Sequence, residues 1–386
     1  MGMASIKDAG PGPYCRESYD RLSAAFRDTL EMGYSVSGFK DGGHQEQRRK
    51  KIMMTYQNFK ETVTAALASY MPEEYKEMQI VCRKKRFVNQ EQEVLACSIP
   101  NARANTVNIC LADAYDDYLE NGHIVAMLRG MAKVLAEKFK MPLAPELDEI
   151  MLRNADQKIV FHFINTEQNR DLLADVPHRE FLDLSIVYEL VMQMDETGIA
   201  FGMIKNDMAR KLSMTEEQLF RCAYENTKKL LRPVVYDMLS MPIEFAADEC
   251  EDDECESIPR TRTLWYIGNA RATYGTASIL YPDLMAELAD AVGSDLYLYP
   301  SSVHEFLAQS VYAVDPEDDQ PEHLADMVAD INMSAVSLQD RLSNQVYRYC
   351  RATGEITLLT NTANTRLDKL ACPPKHVDPL TGCWES

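Results

Sequence analysis

The stretch that decides the fold is SDLYLYPSSVHEFLAQSVYAV, residues 294–314. Leucine and tyrosine alternate from residue 296 to residue 299, which is the two-residue period of a β-strand. Pro300 has no backbone N–H, so it predicts the end of that strand or a turn. Alternation resumes at Val303 and continues to Val314 with two largely apolar faces. The stretch therefore predicts a strand, a turn and a second strand that is covered on both sides.

On both sides of this stretch, short strands alternate with amphipathic helices. Residues 56–70 carry apolar side chains at helical spacing, and the next forty residues alternate as three strands would. A strongly alternating run at residues 181–192 precedes a hairpin loop at residues 195–198. Thr215 and Gln218 have the spacing of a capping box at the start of a helix. The pattern predicts an α+β fold of two or three packed modules, each with a short antiparallel sheet and amphipathic helices.

The module boundaries follow from composition. Eight acidic residues between Glu244 and Glu256, flanked by Pro242 and Pro259, predict a solvated linker that buries little apolar surface. The predicted segments are a peripheral N-terminal extension at 1–52, modules at 53–141, 142–239 and 263–360, an acidic linker at 240–262 and a disordered tail at 361–386. The glycines and basic run of the extension, and the two prolines of the tail, favour irregular structure there.

Charge and composition narrow the class of protein. The 386 residues carry a net charge of −20, which makes nucleic acid and anionic membranes unlikely partners. No stretch approaches 18 apolar residues and the N-terminus has no apolar signal region, so we expect a cytoplasmic protein without a membrane span. The ten cysteines lack a disulfide or zinc spacing and are expected to be reduced thiols. The expected partner is a protein or a small molecule.

The loop at residues 299–305 holds the densest cluster of reactive side-chain types: Tyr299, Ser301, Ser302, His304 and Glu305. A hydroxyl beside an imidazole is the beginning of nucleophilic catalysis, because the imidazole can take the hydroxyl proton. However, no GxSxG motif is present, and a third group that orients the base is not evident. The alternative is a capped turn in which the serine hydroxyls bond the ring nitrogens of a buried histidine.

A second candidate site surrounds the predicted turn of the second module, where Asn169, Arg170, His178 and Arg179 lie close in sequence. Guanidinium forks in this loop could bind an anion, or the same side chains could only order the loop. His162 and His178 could contribute to a metal site, but sixteen residues separate them and no HExxH motif occurs. We therefore expect neither a metal nor a cofactor.

Several segments resemble an uncharacterised family of clostridial and related Firmicutes proteins, catalogued as a domain of unknown function. They are TYQNFKETV, YMPEEY, INTEQNRDLLADVPHREFLDLSIVYEL, MTEEQLFRCAYENTKKL, SDLYLYPSSVHEFL and LSNQVYRYCRATGE, which together cover roughly residues 54–360. A second uncharacterised family, typical of bacilli, is more loosely similar. The resemblance implies a cytoplasmic α+β protein and carries no activity, substrate or catalytic residue.

Two hypotheses about function follow. The leading one is a non-enzymatic cytosolic binding or adaptor protein, because no complete catalytic constellation and no cofactor motif is found. The alternative is a hydrolase-like enzyme that uses Ser302 and His304 in the third module. A pocket that joins these two residues to a buried acid would favour the enzyme, and a packed turn would favour the binding protein.

Overall fold

The computed structural model describes residues 53–100, 106–140, 153–195, 198–238, 263–314 and 320–370. These residues form two compact units, one reaching to residue 153 and the other beginning at residue 154. The predicted N-terminal extension at 1–52 and the acidic linker at 240–262 lie outside the described residues. Within the described part of the chain, no helix has both the length and the apolar character needed to cross a membrane.

The first unit is an antiparallel sheet that packs with three helices. Strands β1 (Gln79–Phe87), β2 (Gln90–Ser98) and β3 (Val107–Cys110) pair in that order, and the helices are α1 (Tyr56–Ala66), α2 (Leu111–Asn121) and α3 (Ile124–Lys140). Thr55 caps α1 by accepting the N–H of Asn58, and Gly122 ends α2 at a φ of 66°. Phe59, Leu95 and Leu128 belong to one buried core that joins helices and sheet.

The second unit contains two sheets. In the first, the long strand β6 (Leu184–Asp195) pairs with β4 (Ile159–Asn165), β5 (His178–Phe181) and β7 (Gly198–Met203). Helices α4 (Arg170–Leu173), α5 (Asn206–Leu212) and α6 (Glu216–Leu230) accompany it. Thr215 and Gln218 form the predicted capping box at the start of α6. Every residue of β4 is buried, so this strand lies in the interior of the unit.

The second sheet has six strands in the order β13-β12-β10-β11-β9-β8. They are β8 (Pro233–Asp237), β9 (Trp265–Asn269), β10 (Leu296–Pro300), β11 (Phe306–Ser310), β12 (Tyr347–Tyr349) and β13 (Ile356–Leu358), with helices α7 (Pro282–Val292) and α8 (Pro321–Ala335). Side chains from both sheets, including Phe161, Tyr188, Leu298 and Phe306, form one core. The α+β class is confirmed. Strand β8, from the segment predicted as module two, pairs with β9, from the segment predicted as module three, so both segments belong to this one unit.

Three local predictions differ from the structure. The second predicted strand is shorter, because β11 covers only Phe306–Ser310, and Tyr312 is 76% exposed. The predicted strand at 181–192 is two strands, β5 and β6, which meet at a turn formed by Leu182 and Asp183. The predicted disordered tail is packed at residues 361–370, where Leu367 is fully buried and its carbonyl accepts from Arg341 at 2.6 Å. The rest of that tail, 371–386, lies outside the described residues.

Candidate functional site

Residues 301–305 are a loop that closes the β10–β11 hairpin after its last pair, Pro300 with Phe306. The loop is shaped largely by its own polar groups. The Ser302 hydroxyl oxygen accepts the N–H of His304 at 3.0 Å, and the N–H of Ser302 donates to the carbonyl of Glu305 at 3.3 Å. These short-range bonds explain why the alternating pattern of the sequence does not continue as a strand here.

Glu305 is the buried acid of this loop, with 5% of its surface exposed. The Ser302 hydroxyl donates to its Oε1 at 2.9 Å. Burial raises the pKa of Glu305, and the nearby His304, Ser302 and Ser301 only partly oppose this shift. The buried Ser301 hydroxyl has no hydrogen-bond partner of normal geometry. Glu305 therefore resembles an interior acid that favours its protonated form more than a surface carboxylate does.

The ring of His304 is held from both sides by groups distant in the sequence. Its Nδ1 accepts the backbone N–H of Tyr274 at 3.2 Å, and its Nε2 lies 3.6 Å from Oδ1 of Asp340. In the neutral ring, the proton is therefore on Nε2, facing Asp340. Burial lowers the pKa of His304, but the carboxyl groups of Asp340 and Glu305 outweigh burial and leave this pKa above its ordinary value.

The pKa of Asp340 is shifted in the opposite direction. Burial tends to raise its pKa, but the contacts with His304 and with the hydroxyl of Ser337 leave the pKa below its ordinary value. The carbonyl of Asp340 also accepts the N–H of Val303 at 2.7 Å. Asp340 thus ties the segment at 337–345 to the loop at 301–305 through both its side chain and its backbone.

The structure does not pair the Ser302 hydroxyl with the imidazole of His304. The hydroxyl proton goes to Glu305, and the ring nitrogens face Tyr274 and Asp340. The expectation that serine hydroxyls would bond the ring of His304 is wrong, because partners from two other segments occupy both nitrogens. The imidazole of His304 is therefore not placed to take the Ser302 proton, and the serine–histidine pair that the hydrolase alternative requires is not formed.

Tyr274 connects this loop to a second buried pair that sequence analysis did not foresee. His162 and Glu189 are both buried, with Nε2 3.4 Å from Oε1, and the Tyr274 ring stacks on His162 at a centroid distance of 3.9 Å. Tyr274 itself has a φ of 55°, which is unusual for a tyrosine. His178 does not join His162 in a metal site: the described residues contain no cluster of three or more metal-ligating side chains.

Arg179, a predicted anion-binding residue, is already occupied. Its guanidinium forms a two-pronged bond to Glu216 at 3.0 and 2.9 Å, contacts Glu217, and lies 4.0 Å above the ring of Phe220. The two carboxylates leave the fork unavailable to a ligand anion. Arg179 therefore fastens β5 to the start of α6.

The other predicted binding residues are also engaged within the chain. Asn169 is buried and donates to a backbone carbonyl, Arg170 pairs with Glu167 on the surface, and Nδ1 of His178 contacts the carbonyl of Val176. Tyr299 is buried and its hydroxyl donates to Gln309 at 3.2 Å. None of these residues is among the described residues that line the open cleft described next.

An open cleft does lie nearby, at the end of β4, and sequence analysis missed it. Its volume is about 240 Å³, and hereafter it is called the amide cleft. The lining residues are mostly amides, hydroxyls and acids: Asn165, Thr166, Glu167, Leu182, Asp183, Ser343, Asn344, Gln345, Leu358, Asn361, Asn364 and Thr365. They come from three places: the region after β4, the β5–β6 turn and the chain on either side of β12 and β13. No local motif could have revealed them together.

Asp183 is the central acid of the amide cleft. The hydroxyl of Ser343 donates to its Oδ2 at 2.6 Å, and the hydroxyl of Tyr347 donates to its Oδ1 at 2.5 Å. Burial raises the pKa of Asp183, and these hydroxyls oppose the shift without cancelling it. Asp183 is therefore a desolvated carboxyl at the wall of a cleft, which is typical of binding sites.

Leu182, beside Asp183, carries backbone strain at the same cleft. It stands at the first central position of the two-residue β5–β6 turn with a φ of 57°, where glycine is preferred, and 45% of its surface is exposed. Strained backbone of this kind is concentrated at ligand-binding and switching sites. The sequence signal was the two-residue spacing between Phe181 and Leu184, which the continuous alternation concealed.

Comparison with known proteins identifies the family of the chain. No curated protein and no solved structure matches the chain. One family model matches residues 56–351, which include the four-stranded sheet of the second unit, strands β8 to β12 of its six-stranded sheet, the loop at 301–305 and the segment at 337–345. Because this match covers most of the chain, the protein belongs to DUF5688, a family of unknown function.

Proposed function

We propose that the protein is a non-enzymatic binding protein that takes a small polar ligand in the amide cleft. The observation that carries the proposal is the cleft itself: an open volume of about 240 Å³ with a desolvated acid, Asp183, in its wall. Convergent polar groups in a concave space are the usual mark of a ligand site. The strained Leu182 at the same place supports this reading.

The size of the cleft limits the ligand. About 240 Å³ is below the usual range of drug-sized pockets, so the proposed ligand has the dimensions of an amino acid, a short amine or a small polyol. A folded protein partner would need a far larger contact area. We therefore favour a small molecule over the adaptor role that sequence analysis kept open.

The hydrolase alternative has less support. The Ser302 hydroxyl donates to Glu305, and the His304 ring is engaged by Tyr274 and Asp340. Catalysis by a Ser302–His304 pair would require the hydroxyl to turn from Glu305 toward the ring and a ring nitrogen to give up its present contact. No observation in the described residues favours that rearrangement, so we do not assign a reaction.

The proposed binding site predicts that a bulky side chain at the mouth of the cleft blocks it. Asn361 lines the cleft and is exposed, so Asn361→Trp should fill the space with little effect on the fold. We expect thermal-shift screening of the wild type with panels of amino acids, short amines and polyols to find at least one stabilising ligand. The same ligand should not stabilise Asn361→Trp.

The matched control for this screen is Thr357→Trp, which adds the same ring at an exposed position of β13 outside the cleft. It should respond as the wild type does. Equal stabilisation of Asn361→Trp and the wild type would place the ligand elsewhere and refute the amide cleft as the site.

We also propose a cytoplasmic location and an origin in clostridia or related Firmicutes. The support for the location is that the five described cysteines, Cys82, Cys97, Cys110, Cys222 and Cys350, are all free thiols, as in reducing compartments. The support for the origin is the resemblance of the quoted segments to proteins of those bacteria. The looser likeness to a family of bacilli belongs to the same proposal.

A further inference from the structure

The side-chain donors of the amide cleft are directed at the chain's own acceptors. The amide of Asn165 donates to the carbonyl of Leu342 at 3.1 Å. The amide of Asn344 donates to the carbonyls of Asn364 and Arg366 at 3.2 and 3.0 Å. These bonds hold the walls of the cleft together, so the donors are not available to a ligand.

Two further lining groups also donate within the chain. The amide of Gln345 donates to Thr362 at 3.1 Å, and the hydroxyl of Ser343 donates to Asp183. The amide oxygens of Asn165, Asn344 and Gln345 also accept within the chain, so the carboxyl of Asp183 is the lining group from which a ligand can gain most. A ligand that brings its own N–H or O–H donors is therefore favoured over one that brings only acceptors.

The charge of the lining decides between anionic and cationic ligands. The lining contains two acids, Glu167 and Asp183, and no lysine or arginine is among the described residues that line it. The chain as a whole carries a net charge of −20. Glu167 is already paired with Arg170, so the carboxyl of Asp183 decides the contact. An anion would meet like charge there, whereas a cation would be attracted to it and, from a distance, to the acidic chain as a whole.

Asp183 gains most from a cation. Asp183 is half-buried, so its carboxyl is partly desolvated, and its contacts with Ser343 and Tyr347 are made by neutral hydroxyls. A buried carboxylate is stabilised far more by a charged donor than by a neutral one. A carboxylate also has about four acceptor sites, so two hydroxyl donors do not exhaust it.

The apolar part of the lining indicates which group the ligand carries at its other end. Leu182 and Leu358 are the two aliphatic residues of the cleft, and Leu182 is 45% exposed. A short alkyl chain against them would remove apolar surface from water on both sides. The ligand that satisfies both parts has one charged donor group and a few methylene groups.

We infer that the amide cleft binds a small primary alkylamine, with its ammonium group on the carboxylate of Asp183 and its alkyl chain against Leu182 and Leu358. This inference rests on the proposed function and names the chemical class of its ligand. It requires Asp183 to be ionised in the complex, so binding displaces any proton from its carboxyl into solvent. The ammonium keeps all of its own protons.

Three probes of equal chain length test the class: n-butylamine, 1-butanol and butyrate. Binding is followed by ligand-observed NMR and calorimetric titration of the full-length protein at pH 7. We expect saturable binding of n-butylamine alone, weakened by added salt because the contact is ionic. Binding of butyrate or of 1-butanol at equal or higher affinity would overturn the inference.

Two variants test the anchor. Asp183→Asn should lower the affinity for n-butylamine at least tenfold. Glu355→Gln neutralises an exposed acid outside the cleft and should leave that affinity unchanged. Because Asp183→Asn could disturb the fold, Asn361→Lys provides a second route. It places a tethered ammonium at an exposed position of the cleft and should exclude n-butylamine, whereas Asn361→Gln should not. Unchanged affinity in both Asp183→Asn and Asn361→Lys would refute the site.

The outcomes also separate this inference from the proposed function. If xylitol binds the wild type but not Asn361→Trp, while n-butylamine does not bind, the amide cleft is a ligand site for neutral polyols and only the amine inference fails. If neither xylitol nor any of the three four-carbon probes binds, and the wider thermal-shift panels give no response, the proposed function fails as well.

Discussion

Replacing Gly275 with alanine is expected to destabilise the second unit by about 3 kcal/mol, because the added methyl group has no room. A Cβ at this position would lie 2.3 Å from the carbonyl oxygen of His304, and 2.8 Å from both the backbone nitrogen of Asn269 and the Cα of Gly268. All three are backbone atoms, which cannot move aside by changing a rotamer. The loop at 301–305 and the short helix Gly275–Leu280 would have to separate.

Tryptophan fluorescence measures this effect. The chain has two tryptophans, so a Trp384→Phe background leaves Trp265, on β9 of the second unit, as the only reporter. Chemical unfolding in that background should show a large fall in the denaturant midpoint for Gly275→Ala.

Gly130→Ala is the matched control, because a Cβ there meets nothing within 4 Å and the residue lies inside helix α3. Alanine should favour that helix of the first unit by roughly 0.5–1 kcal/mol, and it should not lower the midpoint that Trp265 reports. A midpoint for Gly275→Ala equal to the wild type would mean that the helix and the loop do not pack as described.

The class of fold was predictable because it depends on local patterns. Alternation located β10, and the Thr215–Gln218 spacing located the start of α6. Alternation also extended the second strand too far, because a serine hydroxyl can bond the backbone of a following residue and end a strand inside an apolar run. Ser302 does this before β11 by accepting the N–H of His304, and Ser310 does it at the end of β11 by accepting the N–H of Tyr312.

The candidate site was not predictable, because its groups meet only after folding. The bond from Asn165 to the carbonyl of Leu342 joins residues 177 positions apart. The hydroxyl of Tyr347 reaches Asp183 across 164 positions. A single sequence carries no signal for such pairings. Residue type also misled, since the serines and histidine near residue 302 looked reactive while scattered amides formed the cleft.

The segment at 337–345 connects the hairpin loop at 301–305 with the amide cleft. Asp340 contacts His304 and Val303 in the hairpin loop, and Ser343 contacts Asp183 in the amide cleft. Changes at His304 are therefore expected to act on the cleft through this segment and not by contact with a ligand. His304 is in this sense a positioning residue.

His304→Ala is expected to cost about 1–3 kcal/mol, because it orphans the N–H of Tyr274 and leaves Asp340 without its partner. His304→Asn is the matched control. It keeps a hydrogen-bond acceptor on a short side chain and should recover much of the loss if the N–H of Tyr274 can reach it. Ser302→Ala should cost a similar amount, because it removes a buried hydroxyl that donates to Glu305 and accepts the N–H of His304.

The cost should also depend on pH. The pKa of His304 is raised in the folded protein by Asp340 and Glu305, so the charged ring contributes stability that is fully present below the ordinary histidine pKa of about 6.5. That contribution is lost as pH rises through the folded-state pKa. The difference in unfolding free energy between wild type and His304→Ala should therefore be larger at pH 5.5 than at pH 8.5.

One contact opposes this trend and makes the experiment decisive. The bond from the N–H of Tyr274 requires an unprotonated Nδ1, so charging the ring sacrifices it. If the carboxyl groups dominate, the difference between the variants shrinks toward pH 8.5. If it grows instead, the Tyr274 bond outweighs the carboxyl groups and our assignment of the charge is wrong. If His304→Ala and Ser302→Ala both keep wild-type midpoints at every pH, the loop is not structural and the hydrolase alternative regains its place.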